Sequence, residues 1–158
     1  MDDKQAILKI LLPKAVLKAM TPEAERAAPD GSIESGLIRI QQFPFKVGRE
    51  ARVAMIDGEL LIIDRPPRVA NGKPNNDLYL VDGGQPLNIS REHFQIESTA
   101  DGYLLVDRGS ACGTTVDGVR VGGNDAGGSA PLRDGAAIGI GTGSTPYLFT
   151  FVSDLASR

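Results

Sequence analysis

Ser90, Arg91 and His93 fall together in the stretch ISREHFQI (89–96), and His93 is the only histidine of the chain. Such a trio can do chemistry in two ways. In the first, His93 is the base of a nucleophile. That nucleophile is Ser90, with Asp107 as orienting acid, or Cys112, the only cysteine. Neither pairing has a local signature, since there is no G-x-S-x-G elbow and no cysteine-protease motif around Cys112. A free cysteine in a turn is more ordinarily a small buried residue. In the second, the cations hold an anion. Gly48-Arg49 ends one apolar run and Ser90-Arg91 precedes another. Two guanidinium groups and a hydroxyl converging across loops would offer a phosphate several charge-assisted hydrogen bonds. Spacing alone cannot show convergence, and it favours each arginine standing separately in solvent.

Bulk composition narrows the choice of partner. A net charge of −3 argues against nucleic acid, whose phosphate backbone normally selects a basic domain, so an anion site must be a local cluster. One cysteine excludes an internal disulfide, and with one histidine it excludes the usual multi-Cys/His zinc patterns. No metal or cofactor is implied. The start MDDKQ, with Lys9, Pro13 and Lys14 interrupting the apolar stretch, suits neither a secretion signal nor membrane insertion, so the expected location is cytoplasmic.

The elements that must position these residues follow from periodicity. A length of 158 residues suits one domain with a short appendage. Ile7, Leu11, Ala15 and Ala19 share one i,i+4 row and Leu8, Leu12, Val16 and Met20 the next, which predicts a helix over 5–20 with an apolar stripe needing a cover. Thr21-Pro22 reads as a fresh helix start and PDGS (29–32) as a turn, giving an N-terminal helical extension and linker over 1–35. From Leu37 the pattern changes to short β runs: LIRIQQ, FPFKVG, VAMI, ELLII, DLYLV, HFQIES, GYLLVD, TTVDGVRV, AAIGI and YLFTFV. Asp57-Gly58 between VAMI and ELLII is a hairpin signal. DRPPRVANGKPNN and GGNDAGGSA read as irregular connections, and the latter lacks the Lys-Ser/Thr of a phosphate loop. With 19 Gly and 10 Pro, strands at this spacing predict an all-β sandwich or barrel.

The ordered series FPFKVGR, NDLYL, ISREHFQI, DGYLLVDRGSACGTTVDGVRV, LRDGAAIGIG, YLFTF, from about Ile40 to Val152, closely resembles the forkhead-associated (FHA) domain. That resemblance implies an all-β fold, a two-sheet antiparallel β-sandwich over residues 36–153, with loops at one end binding phosphothreonine peptides without catalysis. By position, Arg49 and Ser90 match the family's phosphate-contacting arginine and serine, and Arg91 a second assisting polar residue. His93 matches a histidine that braces the loops, with Gly48 and Gly113 as loop support. Ala111 and Cys112 occupy the positions that hold phosphate and peptide backbone. The family there carries a hydroxyl residue and an asparagine, so Cys112 replaces a carboxamide with a weak donor and acceptor. Ala136 replaces the usual acid after Asp134-Gly135. A hairpin and loop are inserted over 50–75, where Arg52, Arg65, Arg68 and Lys73 either widen the positive patch or are solvated turn charges.

The expected function is therefore a phosphothreonine-recognition module in Ser/Thr kinase signalling, partnered by a phosphorylated protein and its upstream kinase. The alternative is a scaffold of the same fold with a degenerate peptide site, acting through other protein contacts.

Overall fold

Apolar–polar alternation from Leu37 onward resolves, in a computed structural model of the chain, into strands that bury alternate side chains between two sheets. The structure describes residues 3, 4, 7, 11–49, 53–56, 59–62, 69–70, 73–84 and 87–155, with backbone only over 53–74. In β2 (Leu37–Ile40) Ile38 and Ile40 point inward, and in β9 (Phe94–Thr99) Phe94 and Ile96 do so.

One sheet has six strands in the order β12 (Val119–Val121), β11 (Thr114–Val116), β14 (Ala137–Ile140), β15 (Leu148–Val152), β1 (Ala15–Ala19) and β2. The other has five: β13 (Gly128–Leu132), β10 (Gly102–Asp107), β9, β3 (Phe45–Arg49) and β8 (Leu78–Leu80). Their inner faces share one apolar core that includes Leu17, Ile38, Phe94, Leu105, Ile138, Phe149 and Phe151. The all-β two-sheet architecture expected from the sequence is thus present. One pairing departs from the antiparallel rule, since β3 runs parallel to β8. A parallel neighbour needs a crossover of about a dozen residues or more, and the inserted segment between Arg49 and Leu78 supplies it.

The insertion pairs with itself. β4 (Val53–Ile56) and β5 (Glu59–Ile62) form the expected hairpin, with Ile56 opposite Glu59; the Asp57-Gly58 turn lies outside the described residues. Downstream, β6 (Val69–Ala70) pairs with β7 (Lys73–Pro74), so the segment read as irregular contains a short ladder. Arg52, Arg65 and Arg68 lie outside the described residues, and only the backbone of Lys73 is described.

The helix expected over 5–20 is corrected. Asp3, Lys4, Ile7 and Leu11 are helical, but residues 15–19 are β1, paired with β15 on one side and β2 on the other. Ala15, Val16 and Leu17 are consecutively buried. A strand covered on both faces shows no period-2 alternation, and its apolar run is indistinguishable from a helical stripe. The sheet therefore begins upstream of the boundary expected near residues 29–36. Thr21 does start a helix, α1 (Pro22–Ala27), its Oγ1 accepting the Ala24 N–H at 3.0 Å. GGNDAGGSA is also partly corrected, because Gly128–Leu132 is an edge strand on β10. No helix among the described residues is long and apolar enough to cross a membrane.

Candidate functional site

Three loops meet at one end of the sandwich: the end of β3, the segment entering β9, and the turn between β10 and β11. His93 lies at their junction and is fully buried. Its Nδ1 lies 2.9 Å from the Ser90 N–H, and a backbone N–H can only donate. Nδ1 is therefore the acceptor and the ring is the Nε2–H tautomer, which donates to the Gly113 carbonyl at 2.8 Å. The His93 N–H donates to Val47 O at 3.0 Å, and its carbonyl accepts from the Arg108 N–H at 2.8 Å. Both ring nitrogens are engaged by backbone. Burial lowers the pKa, so the neutral ring that these bonds require is favoured.

The proposed dyads are not assembled in this arrangement. Ser90 Oγ accepts the Ala111 N–H at 3.0 Å. Cys112 is half-buried, its Sγ 3.4 Å from the Leu87 carbonyl. The Asp107 carboxylate is occupied by the N–H groups of Gly109 and Ser110 and by the hydroxyls of Ser110 and Thr114. It organises the turn that carries Ala111 and Cys112 rather than orienting a base.

Of the anion-binding candidates, Arg49 lies against the segment that carries Ser90. The Arg49 N–H donates to Ser90 O at 3.0 Å, and its Nε donates to Ile89 O at 2.9 Å, which fixes the guanidinium against the Ser90 loop. Because Ser90 Oγ already accepts from Ala111, its own proton is left to donate to an anion. Arg91 follows on the same loop with an exposed side chain. Gly48 has a steric reason to be glycine: a Cβ there would stand 1.9 Å from Arg91 O and 2.5 Å from Asn76 Nδ2. Gly113 is at φ +85, a left-handed turn position, and its carbonyl accepts from both His93 Nε2 and the Gly141 N–H.

Two supporting groups were not singled out from the sequence. Asn76, in the N-D pair of NDLYL, is buried; its Nδ2 donates to Arg91 O at 2.7 Å while its Oδ1 accepts from Arg108 Nη1. Asp82 is a buried carboxylate whose Oδ2 accepts the N–H groups of Asn88 and Ile89 at 2.6 and 2.8 Å, directly before Ser90. Its Oδ1 accepts from Gly84 N–H at 2.9 Å and from the Tyr147 hydroxyl at 2.8 Å. Burial, and then Asp82, push the Tyr147 pKa up to about 12. An acid inside a glycine-rich loop, spaced to cap its own backbone, was the only available signal for Asp82. Among the described residues no group of three or more His, Cys, Asp or Glu could hold a metal ion.

The buried His93 gives a pH prediction. Its folded pKa lies below the unfolded 6.5, so its contribution is fully present above that value. As pH falls below 6.5 the unfolded chain takes up a proton that the folded ring refuses, and stability declines until the lowered folded pKa is reached. The slope should approach about 1.4 kcal/mol per pH unit. His93→Ala should cost about 1–3 kcal/mol at neutral pH by leaving backbone groups unpaired, and should lose this part of the pH dependence. Thermal midpoints of both proteins through mildly acidic pH measure it; parallel curves would contradict the assignment.

Comparison with known proteins agrees with this geometry. The FHA domain model matches residues 46–141, more than half of the chain and all of the loops described above. Among solved structures, the chain is similar to Mycobacterium tuberculosis EmbR in complex with a low affinity phosphopeptide, at 21% identity and TM-score 0.52. That alignment covers 89% of this chain but only 24% of EmbR. It is also similar to full-length yeast Pml1p, at 14% identity and TM-score 0.50, covering 95% of this chain and 91% of Pml1p. These likenesses concern the fold. No curated protein matches the sequence.

Proposed function

The chain belongs to the FHA domain family, and on that premise we propose that it recognises phosphothreonine in a partner protein modified by a Ser/Thr kinase, without catalysis. The observation that carries the reading is the coupling of Arg49 to Ser90. The Arg49 N–H and Nε bond the two carbonyls at 89 and 90, while Ser90 Oγ is held by the Ala111 N–H with its proton left to donate. A guanidinium and a hydroxyl preset on one loop junction suit a phosphate oxygen pair. Arg91 adds positive charge, and the exposed Ala111 and half-buried Cys112 form the adjoining floor for the peptide. The phosphopeptide in the EmbR complex supports the same ligand class. A local cluster of cations on a chain of net charge −3 also favours a small anionic group over nucleic acid, and a cytoplasmic location would place it beside such kinases. Retention of a phosphothreonine peptide library on the immobilised chain, with the unphosphorylated copy washing through, tests the proposal. Equal retention of both, or of neither, defeats it.

A specific observation keeps the second reading, a degenerate peptide site, in view: Cys112 offers only a thiol, and that thiol faces Leu87 O. Cys112→Asn restores a donor and an acceptor at this turn. If the site works, the substitution should tighten phosphopeptide binding by about 1 kcal/mol, the net worth of one hydrogen bond, with inorganic phosphate binding unchanged. Calorimetry on both proteins decides. Weaker binding with a lower melting point would mean that the thiol is a packing residue and the peptide does not lie over it.

A further inference from the structure

We propose that Arg120 is a second recognition point, selecting phosphopeptides with an acidic side chain flanking the phosphoresidue; the inference rests on the phosphopeptide reading above. Arg120 lies on β12, opposite Thr115, with an exposed side chain that folds back over the loops. Its Nε donates to Gly122 O at 3.1 Å. A Cβ on Gly113 would stand 3.2 Å from that Nε, and one on Gly123 would stand 2.0 Å from Nη2. The guanidinium therefore rests on the backbone of two glycines, one of which directly follows Cys112. The segment beneath it is tied to the same turn, since the Asn124 N–H donates to Ala111 O at 2.9 Å and the Asp125 N–H to Ser110 O at 3.0 Å.

What singles out this arginine is the combination of a fixed fork and the absence of a carboxylate. Arg39 pairs with Glu34 at 3.6 Å and Arg108 with Glu92 at 3.4 Å. Arg120 has no carboxylate within ion-pair distance among the described residues, and Asp107, the buried acid beside Gly122, is spent on its own turn. A guanidinium carries five N–H donors, and among the described residues only the Nε–H has a partner. Held by its Nε on a glycine bed, it loses little freedom when a carboxylate arrives. Gly113 is two residues from Ala111, whose N–H holds the Ser90 hydroxyl, so Arg120 rests on the same turn that adjoins the proposed anchor at Ser90.

Binding of phosphothreonine peptides carrying Ala, Glu or Lys at each flanking position should be measured on the full chain and on its Arg120→Ala and Arg120→Glu variants. The unaltered chain should prefer Glu at one flanking position by up to about fivefold, the upper end for an exposed charge pair, less at high salt. Arg120→Ala should erase that preference while binding to Ala-flanked peptide is retained. Arg120→Glu should shift the preference to Lys. A preference that survives Arg120→Ala, or an equal loss for all flanks, overturns the inference, as does binding without any flank preference in the unaltered chain. Failure of every phosphopeptide to bind overturns the phosphopeptide reading as well.

Discussion

Removal of residues 1–20 is expected to abolish the cooperative unfolding transition. The deleted stretch contains β1, which sits between β15 and β2. Without it β2 loses its strand neighbour, and the buried Ile38 and Ile40 lose the sheet that holds them over the core. Leu17, 1% exposed, is itself lost from that core. Fully burying one leucine contributes about 1.5–3 kcal/mol, and a whole domain is stable by only about 5–15 kcal/mol. Two ladders and their side chains together exceed what such a domain can forgo. Leu17→Ala alone should cost about 2–5 kcal/mol. Near-ultraviolet circular dichroism during heating reads both effects. A truncated chain melting at the original temperature would show that 15–19 is a dispensable tail.

Arg49→Ala is expected to weaken phosphothreonine-peptide binding by about tenfold to a hundredfold, because a charge-assisted bond contributes about 1.5–3 kcal/mol. Folding should change little. The Arg49 N–H to Ser90 O bond belongs to the backbone and survives, and the side-chain bond lost at Ile89 O is worth about 1 kcal/mol. Ser90→Ala should act in the same direction but less, since it removes a neutral donor. Isothermal titration with one phosphopeptide, paired with a melting curve, separates loss of contact from loss of fold. Unchanged affinity in a folded Arg49→Ala protein would mean the phosphate is held elsewhere or not at all.

The strands readable from sequence were those with one buried face. In β2, β9 and β15 the inward residues alternate with exposed or half-exposed ones, which is the signal that periodicity detects. β1 escaped because Ala15, Val16 and Leu17 are all covered. β13 escaped for the opposite reason: GSAPL has little strand propensity, and it pairs only with β10 at the sheet edge, where Pro131 is tolerated. The motif positions Gly48, Arg49, Ser90, His93 and Gly113 were legible as an ordered set, and the loops that carry them do meet. Their brace was not. Tyr147 reaches Asp82 across 65 residues of chain, a distance that no local pattern encodes. His93 shows the same limit from another side. Residue type alone allowed a base, and the two backbone bonds to its ring nitrogens, which favour a brace, come from the fold.

The most direct test of the central claim is a nuclear magnetic resonance titration of the full chain with a phosphothreonine peptide and with its unphosphorylated copy. The account predicts saturable shifts of the Arg49, Ser90 and Ala111 amide signals with the phosphorylated peptide and none with the copy. Shifts confined to another face, such as the groove lined by Ile33, Leu37 and Phe45, or identical responses to the two peptides, would contradict it.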